Sequence, residues 1–87
     1  MRIIKKKSWP EIFEKVLSGE KKFDLRLGDF EISEGDIFIL EEWDPEKEEY
    51  TGRKLEKKVG FVLKTKDVEF WPEEDVNKFG FVIVSLD

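Results

Sequence analysis

The chain has 87 residues, 43% of them charged, and carries a formal net charge of −5 at pH 7. This length accommodates a single domain with a small core, for which eight Phe, three Trp and one Tyr provide bulk. Cys and His are both absent, which excludes disulfides, thiol nucleophiles, histidine general bases and zinc sites of the usual kind.

Hydropathy and charge indicate where the protein works. No window approaches the roughly 18 apolar residues of a membrane span, and residue 1 onward shows no signal-peptide pattern, so we expect a soluble, cytoplasmic monomer that does not contact membranes. Residues 1–28 sum to +4 and residues 29–87 to −9. The positive charge of residues 1–28 favours anionic ligands, although the negative net charge of the whole chain argues against general nucleic-acid binding. The charge-rich composition, with no Gln and a single Asn, predicts a thermophilic source.

A short strand and a helix are the first predicted elements. Residues 2–7 are typical of a strand that runs into a basic turn. Ser8 is placed to cap a helix over residues 9–18, because Glu11 follows it at the spacing of a capping box. Apolar side chains share one face of this helix, and Gly19 favours a left-handed stop at its end.

The next predicted element is a strand over residues 22–27. Three apolar side chains alternate there with three polar ones, at the period of two that separates the faces of a strand. The polar face, formed by Lys22, Asp24 and Arg26, is typical either of a solvated edge or of a cleft that holds a ligand.

Strands also dominate the prediction for the rest of the chain. Residues 37–43 predict a strand whose apolar first half is buried on both faces, and an exposed loop follows over residues 44–52. Residues 53–64 predict a returning strand, residues 65–78 a loop or short helical turn, and residues 80–86 a closing buried strand. One helix and five or six strands without βαβ alternation predict an α+β fold, mainly β: a small barrel with one N-terminal α-helix and a cleft beside it.

Residues 17–26 read LSGEKKFDLR and carry a recognisable motif. They resemble the G-x-K-x-x-E-x-R signature of ASCH domains, a branch of the PUA-like superfamily, with Asp24 in place of the signature Glu. The resemblance implies that residues 1–87 form a single ASCH domain with a PUA-like β-barrel, whose cleft is lined by the signature. Five further stretches are similar to a small, uncharacterised prokaryotic and phage family of that branch: Trp9-Pro10, Gly35-Asp36, residues 42–45, residues 50–53 and residues 81–86.

The resemblance implies an RNA- or nucleotide-binding module, because ASCH and PUA-like domains are generally regarded as RNA-binding. Lys21, Lys22 and Arg26 would hold the ligand in the cleft, and Asp24 would orient it. Outside the signature, lysines before the helix would contact a nucleic-acid backbone, and an aromatic residue would stack on a base. These further predicted contacts are Lys5, Lys7 and Trp71, while Gly19 is the structural glycine of the motif.

A second hypothesis is a small amidohydrolase. Some free-standing ASCH proteins of similar size hydrolyse N-acylated cytidine nucleosides, using the signature Lys, a Thr three residues later and a Glu. The resemblance makes Lys21 and Asp24 the candidate catalytic residues, with Lys21 deprotonated by burial and Asp24 at the Thr position. Glu42 or a residue of the 66–78 segment would supply the second catalytic group, and no cofactor is expected.

Each feature also has a purely structural interpretation. Lys21 could be a solvated lysine that favours a helix C-terminus by about 0.3–1 kcal/mol. Asp24 and Arg26 could form an exposed ion pair worth about 0–1 kcal/mol. The basic run over residues 5–7 could be solvated surface, and each Trp could belong to the core.

Two further classes of function are metal binding and the binding of a protein partner. The acidic residues Glu41, Glu42 and 73–75 lack the spacing of a cation-binding loop, so we predict no metal site. A third hypothesis is an interaction protein whose cleft binds the acidic tail of a partner, and nothing in the sequence excludes it.

Overall fold

The protein is built on a three-stranded sheet with a helix packed against one face. The computed structural model describes residues 1–86. In chain order its helices and strands are β1 (Ile3–Ser8), α1 (Pro10–Leu17), β2 (Ile37–Asp44), β3 (Glu49–Lys58) and α2 (Glu73–Phe79), with a 3₁₀ turn at Thr65–Asp67. Strand β2 is central: it pairs in parallel with β1 and antiparallel with β3, and α1 packs against it.

Helix α1 confirms the helix predicted over residues 9–18 to within one residue at each end. Pro10 is its first residue, where the missing N–H costs nothing. The prediction that Ser8 caps the helix is wrong, because Ser8 belongs to the β1–β2 ladder, and Trp9 is the N-cap without a side-chain hydrogen bond. Gly19 has a φ of +87°, which confirms the left-handed stop.

The core lies between α1 and one face of the sheet. Phe13 and Val16 lie one helical turn apart and pack against Phe38 and Leu40 of β2, and all four residues are at most 8% exposed. The prediction that the apolar run of β2 is buried on both faces is wrong. Because α1 covers a single face, the residues of β2 alternate between buried and half-buried.

A four-residue turn at 45–48 joins β2 to β3. The loop predicted over residues 44–52 is therefore shorter than expected, because pairing resumes at Glu49. Further along the hairpin the register shifts, so that Glu42 alone faces residues 51–53. A bulge of this kind re-aims side chains and increases the local twist.

The predicted PUA-like barrel is wrong. The described sheet has three strands and two open edges, β1 and β3. Residues 22–27 and 80–86, both predicted as strands, join no ladder, and the strand predicted to reach Lys64 ends at Lys58. Alternation and apolar runs show which side chains can share a face, but they do not show that another strand edge lies within hydrogen-bonding reach.

The barrel prediction also assumed that the chain has a single helix and no βαβ unit, and both assumptions are wrong. Strands β1 and β2 are parallel and α1 connects them, so the chain contains one βαβ unit. The N-terminal helix is accompanied by α2, most of which lies in the segment 65–78, where a loop or a short helical turn was predicted. Helix α2 begins directly after Pro72 and has three acidic residues in its first turn, and both features favour a helix start.

Asp36 fixes the start of β1 against the turn that precedes β2. Its carboxylate accepts hydrogen bonds from the backbone N–H groups of Arg2 and Ser33, each at 2.9 Å, and from the Arg2 guanidinium at 3.5 Å. The backbone N–H of Arg2, followed by that of Ser33, lowers the pKa of Asp36 below its ordinary value. The ionised form of Asp36 is therefore the one that the fold stabilises.

We expect Asp36→Asn to lower the melting temperature at pH 7. Because the pKa of Asp36 is lowered in the folded protein, its ionisation contributes stability that is present above the unfolded pKa of about 3.9 and is lost as the pH falls through the folded pKa. The difference in melting temperature between wild type and variant should therefore narrow toward about pH 2, as measured by circular dichroism. Asp29→Asn, at an exposed position, is the control. A difference that is constant with pH would contradict this role.

Phe13→Ala should lower the free energy of unfolding by about 3–5 kcal/mol, because it leaves a cavity in the core. Phe79→Ala removes the same atoms from a ring that is 73% exposed, and it should change the free energy by about 0.5 kcal/mol or less. Urea unfolding followed by tryptophan fluorescence measures both. Equal losses would show that the core lies elsewhere.

Candidate functional site

A cleft of about 810 Å³ opens beside helix α1. Its floor is apolar, because Val16 of α1 and Phe38 and Leu40 of β2 reach it from the core. One wall comes from the 19–32 segment, and the facing wall is the 57–66 segment at the end of β3 and beyond. Ligand sites typically have volumes of about 300–1,000 Å³ and combine an apolar lining with a few polar groups.

The first wall begins by turning back against the end of α1. The N–H of Gly19 donates to the carbonyl of Val16 at 3.2 Å, and the N–H of Lys21 donates to that of Lys15 at 2.9 Å. The ammonium of Lys15 also donates to the carboxylate of Glu20 at 2.8 Å. Because the positive φ of Gly19 lets the chain reverse there, the signature segment runs along the cleft instead of joining the sheet.

Lys21 lies half-buried in the cleft lining. Its Nζ donates a hydrogen bond to the carbonyl of Phe23 at 2.7 Å and lies 4.6 Å from the centroid of the Phe23 ring. Burial lowers the pKa of Lys21; the charge of Asp24 acts in the opposite direction, and that of Arg26 in the same direction as burial. Its amine therefore loses a proton more readily than that of a solvated lysine.

Asp24 and Arg26 form an ion pair at the edge of the cleft. The Nε of Arg26 donates to Oδ2 of Asp24 at 2.7 Å, and its Nη2 donates to the carbonyl of Lys7 in β1 at 2.9 Å. Both side chains of the pair are more than two-thirds buried, but such a pair close to the surface contributes only about 0–1 kcal/mol to stability. Its main consequence is geometric, because Arg26 ties the cleft wall to the edge strand of the sheet.

The other sequence-predicted contacts divide between the cleft and two distant surfaces. Lys22 lines the cleft, whereas Lys5, Lys7 and Trp71 do not. Lys5 and Lys7 lie on the sheet face opposite α1, where the Nζ of Lys7 is 3.7 Å from the ring centroid of Trp43. Trp71 is 58% exposed and contacts neighbouring rings of the C-terminal segment edge-on. The structure thus does not bring the seven predicted residues together.

Sequence reasoning missed the basic side chains of the second wall. We call Lys57, Lys58, Lys64 and Lys66 the lysine wall; all four are exposed and line the cleft. The segment 57–66 reads KKVGFVLKTK and contains no acidic residue. The sequence contains this signal, because four of these ten residues are lysines. The prediction missed it because the net charge was summed over residues 29–87, where the acidic residues outnumber the basic ones.

Glu42 lies outside the cleft, in a polar cluster near the start of α1. It is 4% exposed, and the hydroxyl of Thr51 donates to it at 2.7 Å. The guanidinium of Arg53 lies 3.6 Å from Glu42 and 2.7 Å from Glu14 of α1. The hydrogen bond to Glu14 is the main cause that raises the pKa of Arg53. The structure therefore gives Glu42 partners in the hairpin and does not bring it to Lys21.

Glu42→Gln should lower the free energy of unfolding by about 1–3 kcal/mol, because it weakens buried, charge-assisted hydrogen bonds. Glu41→Gln is the control: its side chain is partly exposed and pairs with Lys54 at 3.6 Å, so the change should cost about 0.5 kcal/mol or less. Urea unfolding measures the free energy of unfolding, and amide NMR spectra show which residues change their environment. An equally stable Glu42→Gln variant with a displaced Lys21 amide signal would instead connect Glu42 to the cleft.

Residues 1–86 contain neither a cluster of metal-binding side chains nor a helix suited to spanning a membrane. No three Asp or Glu side chains of this range gather where they could hold a metal ion. No helix among these same residues has the length and apolar character needed to cross a membrane.

Comparison with known proteins gives one match. A family model described as a domain of unknown function, DUF3850, matches residues 4–76, which include α1, the sheet and both walls of the cleft. No curated protein and no solved structure matches the chain. Since the matched range is most of the 87 residues, this chain belongs to the DUF3850 family.

Proposed function

We propose that the cleft beside α1 binds RNA or a nucleotide. The observation that carries the proposal is a cationic lining above an apolar floor in a protein whose net charge is −5. Seven Lys and Arg residues line the cleft, against two Asp and Glu residues, so the local field is opposite in sign to that of the whole chain. A nucleotide has the matching parts, an anionic phosphate and a flat base whose π faces pack on apolar side chains.

The parts of the cleft suit different parts of such a ligand. The apolar lining, which includes the exposed side chains of Leu25 and Leu63, provides a surface against which a base packs. Lys21 and Lys22 offer ammonium groups to phosphate oxygens. Arg26, held by Asp24, keeps part of its guanidinium edge for a base or a phosphate.

Two further points support this proposal. Lys21, Asp24 and Arg26 occupy the positions of the ASCH-like signature, and all three line the cleft. The acidic remainder of the chain disfavours nonspecific binding to duplexes, so single strands and free nucleotides are the favoured ligands. Both are abundant in the cytoplasm, and a monomer suffices because one chain supplies both walls.

A second candidate function, an amidohydrolase acting on an N-acylated cytidine-type nucleoside, is favoured by the lowered pKa of Lys21. A deprotonated amine in a cleft can act as a general base. The candidate partners are less favourable, because Glu42 lies outside the cleft and Lys66 is the only residue of 66–78 in its lining. Asp24, next to Lys21 in the lining, is the remaining candidate for the second group.

Lys21→Ala should weaken binding of a short single-stranded RNA by about fivefold, because it removes one charge-assisted contact of about 1 kcal/mol. The measurement is an amide-shift titration of labelled protein, in which the shifts should cluster at residues 19–26. Lys47→Ala, in the exposed hairpin turn, is the control and should bind as wild type does. Absence of saturable shifts with both RNA and nucleotides would contradict the proposal, as would equal binding by the Lys21→Ala variant with its fold intact.

For the amidohydrolase, wild type should release acetate from N4-acetylcytidine at a rate that rises with pH. The rate rises because the deprotonated fraction of Lys21, which acts as the general base, increases with pH. The pKa of Lys21 is lowered from the ordinary value for lysine, so this increase begins at a lower pH than for a solvated lysine. Chromatography of the nucleoside products measures the rate. A rate equal to that of Lys21→Ala at every pH would eliminate this function.

A further inference from the structure

The lysine wall concentrates positive charge on the side of the cleft opposite the signature. Its four lysines fall within the ten residues 57–66, and they line the same cleft as Lys21 and Arg26. No acidic residue lies in this stretch of chain. The wall therefore contributes most of the positive charge of the cleft, although it begins at the end of β3, in the acidic part of the sequence.

The two walls differ in how their cations are engaged. On the signature side, Arg26 donates to Asp24 and to the carbonyl of Lys7, and Lys21 donates to the carbonyl of Phe23. Among residues 1–86, by contrast, no side chain of the lysine wall forms a hydrogen bond or an ion pair. The ammonium groups that can turn fully toward a ligand are therefore those of Lys57, Lys64 and Lys66, whereas Lys58 pairs with Ile37 on the sheet face opposite α1.

The number of lysines in the wall bears on the size of the ligand. A single phosphate group cannot contact three ammonium groups spread over ten residues of chain, whereas the successive phosphates of a strand can, each neutralised by a lysine. An aromatic ring lies within the same segment, because Phe61 is 87% exposed between Lys58 and Lys64. A basic surface with an exposed ring is typical of proteins that bind single strands through backbone and base stacking.

From these observations we infer that the ligand of the cleft is a single-stranded polynucleotide several residues long, and that the lysine wall holds its phosphates. The signature side, with Arg26 fixed by Asp24, then contacts one nucleotide of that strand. This inference rests on the proposed function, and it names both the ligand class and a set of contacts beyond the signature.

The test compares three proteins: wild type, K64A/K66A and K47A/K78A. The control removes two exposed lysines that do not line the cleft, so both variants lose the same net charge. Fluorescence anisotropy measures binding of a labelled oligouridylate of about ten nucleotides between about 50 and 200 mM salt, with uridine monophosphate as competitor. K64A/K66A should weaken binding and reduce the slope of log K against log salt by about 1.4, since each phosphate contact on a single strand contributes about 0.7.

The control variant should keep the wild-type slope, and the mononucleotide should compete only weakly. If K64A/K66A and K47A/K78A have equal slopes while Lys21→Ala weakens binding, the inference about the wall is overturned and the proposed function stands. If the mononucleotide binds as tightly as the oligomer, the ligand class is overturned. If wild type binds neither, the proposed function fails, and the inference fails with it.

Discussion

The structure depends on the packing of one helix against one strand. Strand β2 is the only partner of both β1 and β3 in the described sheet, and its Phe38 and Leu40 meet Phe13 and Val16 of α1 in the buried core. Because a chain of this length buries little apolar surface, these four side chains determine how α1 is oriented on the sheet. Polar interactions at the periphery of the core add to this packing. Asp36 accepts a hydrogen bond from the backbone of Arg2 at the start of β1. In the hairpin, Thr51 donates to Glu42, and Arg53 forms an ion pair with Glu14 of α1.

The cleft is a direct result of this minimal core. Helix α1 is too short to cover its whole side of the sheet, so Phe38 and Leu40, which it buries, also reach the cleft floor. The segments at the two ends of this gap, one following α1 and the other following β3, then become walls. An open sheet thus provides a site without a dedicated domain, and the charges on the two walls determine what it attracts.

The sequence predicted the elements whose signals are local. Helix α1, the left-handed Gly19 and the strand β2 follow from nearest neighbours along the chain, so pattern reasoning placed them within a few residues. It was wrong about residues 22–27, because alternation describes side-chain directions and cannot reveal that the turn after α1 leads the segment along the cleft. The position of the lysine wall beside the signature and the surroundings of Glu42 depend on which distant segments meet, and no single stretch of sequence contains that information.

The parallel pairing of β1 with β2 has a consequence for the order of folding. The β2–β3 hairpin closes over a four-residue turn, an event of about 1–10 μs, whereas β1 reaches β2 only after α1 and the segment up to Asp36 have been placed between them. Contacts of such sequence separation cost more chain entropy and form later. The signature segment lies entirely within this crossover, so we expect the cleft to be among the last parts of the molecule to assemble, and the transition state for folding to be reached with its first wall still unformed.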